Sequence, residues 1–305
     1  MTSLDTSPKT IVSDRFRLWM AAIKPPMYTV AIMPILWGTA LAYEAMGRIN
    51  GLVFGLFLSA AILILAWENI SNDVFDSETG IDRNKHHSLV NLTQRKTLVF
   101  WIGNLCLLVG IAEILGISWL QQDPTVLGLI LGCCLLGYAY QGPPFRLGYQ
   151  GLGEVLCFFA FGPLGVGAVY YSQTQSWSLS SQLAGVILGI TTSLILFCSH
   201  FHQVEDDLLA GKRSPIVRLG TQRGAALLPW IVGVSYGLIG LGIGLRLFPW
   251  VLLISGLGIV PGIELCRFVQ EHYDRPEVVS RSKFVAVKFH FISGILATIA
   301  WFINS

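Results

Sequence analysis

Apolar segments of about 20 residues, the length of helix that crosses a bilayer, recur along this chain from end to end. Nine are readable: 20–44, 51–74, 97–120, 125–141, 151–171, 182–203, 224–245, 248–267 and 284–303. Composition agrees, with 53% hydrophobic and 12% charged residues, where a soluble domain carries about 25% charged. So little polar side chain does not coat a water-soluble globule, which excludes a cytosolic enzyme. The expected fold class is an all-α polytopic membrane protein. A polar segment over 1–19 precedes one transmembrane domain over 20–303. That segment has no apolar h-region of the secretory kind. Pro25, Pro26 and Pro34 predict a bend or break in the first span. The short connectors 121–124 and 247–249 make their flanking helices antiparallel neighbours. All six cysteines fall in apolar stretches, where they read as small buried hydrophobes rather than disulfides or zinc ligands.

The basic residues test this topology. The N-terminal segment and the connectors after spans 2, 4, 6 and 8, counted with Lys24 and Arg267 at the adjoining span ends, hold 17 of the 20 Lys and Arg. The opposite side holds only Arg48 and Arg246, and Lys288 lies within the last span. The positive-inside rule then predicts nine crossings with the N-terminus in the cytoplasm. The formal net charge of +2 is too small and scattered for nucleic acid, and no protein partner is expected.

Acidic residues in or beside spans usually mark function, and here they gather at two places on the predicted cytoplasmic side. Span 2 runs into Trp67–Glu68–Asn69–Ile70–Ser71–Asn72–Asp73–Val74–Phe75–Asp76, followed by Asp82, Arg83 and Lys85. Asn69, Asn72, Asp73 and Asp76 stand at i, i+3, i+4 and i+7, so a continued helix puts them on one face. Span 6 ends in His200–Phe201–His202–Gln203–Val204–Glu205–Asp206–Asp207, followed by Lys212 and Arg213. Carboxylates and amides bind Mg2+, which keeps some waters and takes phosphate oxygens as further ligands. Lys and Arg then hold the remaining phosphate charge. Two acidic helix ends trailed by cations therefore suggest a diphosphate held through metal bridges, against the plainer reading of solvated loop charge. A Pro/Gly-rich connector between spans 4 and 5 carries Tyr138, Tyr140 and Arg146 on the same side.

These residues resemble the UbiA superfamily of intramembrane aromatic prenyltransferases. Asn72–Asp73–Val74–Phe75–Asp76 with Asp82 beyond it is similar to the first family motif. Gly80 in the longer gap before Asp82, Gly151–Leu152–Gly153–Glu154 and Lys24–Pro25 look like the branch that prenylates 1,4-dihydroxy-2-naphthoate. The run through Asn91–Leu92–Thr93 and the segment 200–220 are similar to its cyanobacterial and plant type, which transfers phytyl. The resemblance implies a nine-helix bundle with its active site at the cytoplasmic ends of helices 2 and 6, in a plasma, inner or thylakoid membrane. It implies Mg2+ as cofactor, ligated by Asn69, Asn72, Asp73, Asp76, Asp82, Gln203 and Asp207. Arg83, Lys85, Arg146, Lys212 and Arg213 would clamp the diphosphate, and Lys24 would meet the aromatic carboxylate. Asp73, Asp76 and Asp207 carry the catalysis, with Tyr138 and Tyr140 shielding an allylic cation. The implied reaction joins a prenyl diphosphate to dihydroxynaphthoate with loss of CO2 and diphosphate. The second family motif usually reads DxxxD, and here Gln203 occupies its first position. Gln203, Glu205 and Asp206 all stay open as participants, and His200 and His202 are expected to be hydrogen-bonded or solvated rather than ligands. Another prenyl length, 4-hydroxybenzoate as acceptor, or an ion-coupled transporter are the alternatives. A transporter would place its acids near the midplane, whereas the main cluster sits at helix ends.

Overall fold

The computed structural model describes residues 18–79, 81 and 88–304. The expected ligand Asp82, the expected cations Arg83 and Lys85, and most of segment 1–19 lie outside the described residues. Nine apolar helical segments run in chain order: α1 Leu18–Met46, α2 Gly51–Thr79, α3 Lys96–Gln121, α4 Thr125–Gln141, α5 Gly153–Thr174, α6 Leu179–His202, α7 Thr221–Gly244, α8 Trp250–His272 and α9 Pro276–Ile303. Among the described residues, eight are long and apolar enough to cross a membrane, while α4, with 17 residues, is shorter. The protein is thus an all-α polytopic membrane protein. Its outward faces are apolar, with Trp119, Trp230 and Trp250 more than two-thirds exposed, as lipid contact requires.

Helix α1 breaks where the prolines predict. Lys24 takes a left-handed conformation (φ 55°), and Pro25–Tyr28 form a single tight turn before the helix resumes at Thr29. Pro25 has no N–H to continue the ladder and disfavours α geometry in the residue before it. Helix α2 has no such interruption and runs 29 residues, about 43 Å at 1.5 Å per residue. That exceeds a bilayer core of about 30 Å, and its charged and amide residues are confined to its last turns.

Two glycine contacts set how closely α5 approaches α6. The chain turns at Ala160–Leu164, where Gly162 leaves helical geometry beside Pro163. A Cβ on Gly162 would lie 2.5 Å from the Gly185 carbonyl, and one on Gly189 would lie 2.6 Å from that of Phe158. Small residues at such crossings let membrane helices pack backbone to backbone. Three buried clusters fill the bundle. One joins Val30 to Phe197, Phe201, Leu228 and Phe289; a second joins Met33 and Trp37 to Leu188 and Trp301; the third joins Ile35 and Phe57 to Ile114 and Ile130. At the connector between α3 and α4, Asp123 accepts the Thr125 N–H at 2.8 Å and the Tyr171 hydroxyl at 2.7 Å.

Candidate active site

A cavity of about 1070 Å³ opens between α1, α2, α4, α5 and α6. Its deep wall is apolar, formed by Pro34, Ile35, Phe57, Ala61, Ile114 and Ile130 among others. The opposite end is polar. Asn69, Asn72 and Asp76 come from α2; His200, His202, Gln203, Asp206, Asp207 and Lys212 come from the end of α6 and the chain beyond it. The two acidic helix ends therefore face one another across one space.

On the α2 side the unbroken helix carries the acidic face as its spacing predicts. Asp76 accepts from the Tyr149 hydroxyl at 3.3 Å, and that hydroxyl also meets Thr79 Oγ1 at 2.7 Å. Burial and then the Asp76 charge push the Tyr149 phenol well above its ordinary value, so it remains a neutral O–H. Asp73 is fully buried and is not among the cavity-lining residues. Its Oδ1 lies 3.4 Å from Lys24 Nζ, and its Oδ2 accepts the Leu89 N–H at 2.9 Å. The left-handed turn at Lys24 brings that ammonium over α2 while leaving it on the cavity wall.

Beyond α6 the chain folds back on itself. A tight turn over His200–His202 leads into the short helix Val204–Leu209, whose first turn carries Glu205, Asp206 and Asp207. Acids suit that position because the free N–H groups of a helix start attract negative charge. Gly211, at φ +73°, reverses the chain so that Lys212 N donates to the Asp207 carbonyl at 2.7 Å. Asp207 then receives Ser214 Oγ at 2.7 Å, with Lys212 Nζ at 3.4 Å and His200 Nδ1 at 3.3 Å. Burial pulls this carboxyl up. The His200 contact, the Lys212 charge and the Ser214 hydroxyl outweigh it and hold Asp207 below the ordinary carboxylate range. On its far side His200 Nε2 lies 3.5 Å from Glu154 Oε1, so one buried imidazole stands between two carboxylates.

The α4–α5 connector binds both acidic ends together. Tyr149 gives its hydroxyl to Asp76, while its carbonyl accepts the Arg213 N–H at 2.8 Å. Arg218 Nη2 reaches the Gln150 carbonyl at 2.5 Å.

Of the expected site residues, Lys24, Asn69, Asn72, Asp76, Tyr140, Gln203, Asp207 and Lys212 share the cavity. Among the open second-motif positions, Gln203 and Asp206 line it and Glu205 does not. Tyr138 turns away, its hydroxyl donating to the Pro143 carbonyl at 2.7 Å and its ring packed edge-on against Phe75. Arg146 pairs with Glu78 at 3.4 Å, and exposed Arg213 enters through its backbone. Glu68, Tyr149, Glu154, Ser214 and Lys283 carry no role in the sequence reading, yet they line the cavity or hold residues that do. Glu68 is a charge within a span, which by itself marks a residue for attention. Nothing local marks Tyr149, whose contact to Asp76 spans 73 positions.

Among the described residues no three His, Cys, Asp or Glu gather closely enough to hold an ion by themselves. Asp207 Oδ1 is buried and without a hydrogen bond. Opposed carboxylates, neutral amides and an adjacent lysine form a donor set for a hard cation shared with phosphate oxygens.

Comparison with known proteins identifies the family. The family model of the UbiA prenyltransferase family matches residues 31–293. The 2-carboxy-1,4-naphthoquinone phytyltransferase of Synechocystis sp. is 53% identical over 290 residues, covering 95% of this chain and 94% of the relative. The chloroplastic enzyme of that name from Arabidopsis thaliana is 39% identical over 289 residues, covering 92% and 75%. In fold, the chain is similar to a UbiA homolog from Archaeoglobus fulgidus, with a TM-score of 0.67 at 15% identity, covering 94% of this chain and 98% of that one. The same homolog bound to GPP and Mg2+ superposes with a TM-score of 0.54 at 13% identity, covering 92% and 99%. With its two acidic helix ends facing one cavity and a family match across most of its length, the chain belongs to the UbiA prenyltransferase family.

Proposed function

We propose that the protein transfers a phytyl group from its diphosphate to 1,4-dihydroxy-2-naphthoate, releasing CO2 and diphosphate. The observation that carries this reading is the single cavity, polar with opposed acids at one end and apolar through the rest. Such a space takes a diphosphate at its mouth and a prenyl chain in its depth. The 53% identity to the Synechocystis phytyltransferase supports the choice of acceptor and chain.

Asp76, Asn69 and Asn72 on one wall and Asp207 and Gln203 on the other, with Asp206 beside them, would hold Mg2+. Asp73, buried off the cavity wall and held by Lys24 and the Leu89 N–H, and Asp82 are assigned to the set by resemblance alone. When bound, the ion stabilises the negative charge that builds on the leaving diphosphate. Lys212 reaches the same phosphate oxygens, and Arg146 and Arg213, with Arg83 and Lys85 by resemblance, are the further cations assigned to the diphosphate. Lys24 offers its ammonium to the aromatic carboxylate. The apolar wall excludes water, so the allylic cation meets the ring and not a hydroxide. Tyr140 faces that cation with its π-surface, and Tyr138 supports the connector behind it. The ring carbon bearing the carboxylate attacks, and cleavage of its bond to CO2 restores the aromatic ring.

All nine helices cross the membrane in this reading, α4 included, with the N-terminus and the acidic ends in the cytoplasm. The seventeen basic residues on that side support it. Purified protein with Mg2+, dihydroxynaphthoate and phytyl diphosphate is expected to release CO2 and yield the prenylated naphthoquinol. Asp76→Asn is expected to lower the rate at least a hundredfold while the protein is still recovered folded. Absence of product from every allylic diphosphate tried would exclude the reading.

A further inference from the structure

Two cavity carboxylates lack a partner among the described residues: Asp206, which is exposed, and Glu68, which is half-buried on α2. Asp73 has Lys24 and the Leu89 N–H, Asp76 has Tyr149, and Asp207 has Ser214, Lys212 and His200. Glu68 makes no hydrogen bond or ion pair with any described residue. It lines the cavity from α2 yet turns toward α4, where a Cβ on Gly137 would lie 3.6 Å from its carboxyl carbon. Glu68 lies eight positions before Asp76, about 12 Å deeper along the helix. One turn further in, the wall becomes Ala61, Ile64 and Leu65. Glu68 therefore stands where the polar mouth gives way to the apolar tunnel. A diphosphate held at Asp76 and Asp207 places its first prenyl carbon roughly one to two helical turns inward, near this level.

A carboxylate without a partner is costly inside a membrane protein, and a hydrogen-bond donor relieves that cost. The prenyl diphosphate brings acceptor oxygens and hydrocarbon, neither of which serves. An aromatic acceptor with hydroxyl groups brings donors. In 1,4-dihydroxy-2-naphthoate the C1 hydroxyl adjoins the carboxylate and bonds to it internally, leaving the C4 hydroxyl free to donate. Resting on the function proposed above, we infer that Glu68 receives the C4 hydroxyl of the acceptor. That contact turns the carbon bearing the carboxylate toward the allylic carbon. Glu68 is then the residue that separates a 1,4-dihydroxy acceptor from one with a single hydroxyl beside its carboxylate.

The test uses the purified full chain with Mg2+, measuring KM for dihydroxynaphthoate and for phytyl diphosphate separately. Inhibition by 1-hydroxy-2-naphthoate, which lacks the C4 hydroxyl, reports discrimination. Glu68→Leu is expected to raise the acceptor KM about tenfold or more. The donor KM and the Mg2+ concentration for half-activity stay within about twofold of wild type. Wild type favours the dihydroxy compound, and in Glu68→Leu that preference disappears. Glu68→Gln keeps an acceptor oxygen and falls between the two. In the absence of acceptor, both variants melt at or above the wild-type temperature, since an unpartnered carboxylate has been removed. An unchanged acceptor KM, an equal rise in both KM values, a shift in Mg2+ requirement, or failure of both variants to fold would each overturn the assignment. A wild-type protein inactive on dihydroxynaphthoate would instead count against the proposed reaction.

Discussion

At Asp207 one carboxylate collects a hydroxyl, an ammonium and an imidazole, and the imidazole leans on a second carboxylate, Glu154. Replacing His200 by Phe removes the group between two buried acids. The expected cost is about 1–3 kcal/mol of stability, read by thermal unfolding in detergent, with a higher Mg2+ requirement for activity. Tyr149→Phe removes only the hydroxyl shared by Thr79 and Asp76. That change is expected to cost about 0.5–1.5 kcal/mol and to lower kcat severalfold with the acceptor KM unchanged. The acids themselves were readable from their spacing along α2. Tyr149, Glu154 and Ser214 were not, because each acts through a contact made only after the chain has folded back.

At the scale of the element, helix ends explain more than helix interiors. Helix α2 runs unbroken to Thr79 and so delivers Asn69, Asn72 and Asp76 in register. The stop at His202 and the reversal at Gly211 return Lys212 and Ser214 to Asp207. The break at Lys24 was legible from two prolines, although the direction in which it points the ammonium was not. The kink at Gly162 has a local cause in Pro163, but its close passage beside Gly185 on α6 is not visible in sequence. Gly162→Val is expected to destabilise by about 1–3 kcal/mol through overpacking. Gly128→Ala on α4, where an added Cβ meets nothing within 4 Å, serves as the neutral comparison in the same unfolding assay.

The whole molecule divides its cavity between a charged mouth and an apolar depth, and prenyl length follows from how far the depth extends. Ala61 lines that depth. Ala61→Phe is expected to depress turnover of phytyl diphosphate strongly while sparing a five-carbon allylic diphosphate, as competing-donor assays would show. The charge asymmetry makes a second expectation. Alkaline phosphatase fused after Arg48 or Arg246 is expected to be active, and fused after Lys212 or Arg275 inactive.

The all-α apolar architecture, the break in α1 and the acidic face of α2 follow from the chain alone, because each depends on neighbours within a few positions. Whether the ends of α2 and α6 meet, which acids look into the space between them, and which are already held by a lysine, a tyrosine or a backbone N–H depend on contacts between segments up to more than a hundred residues apart. Local periodicity carries no information about such contacts. Bundle packing decided them, and with them the division of Asp73, Asp76, Asp207 and Glu68 into four different surroundings.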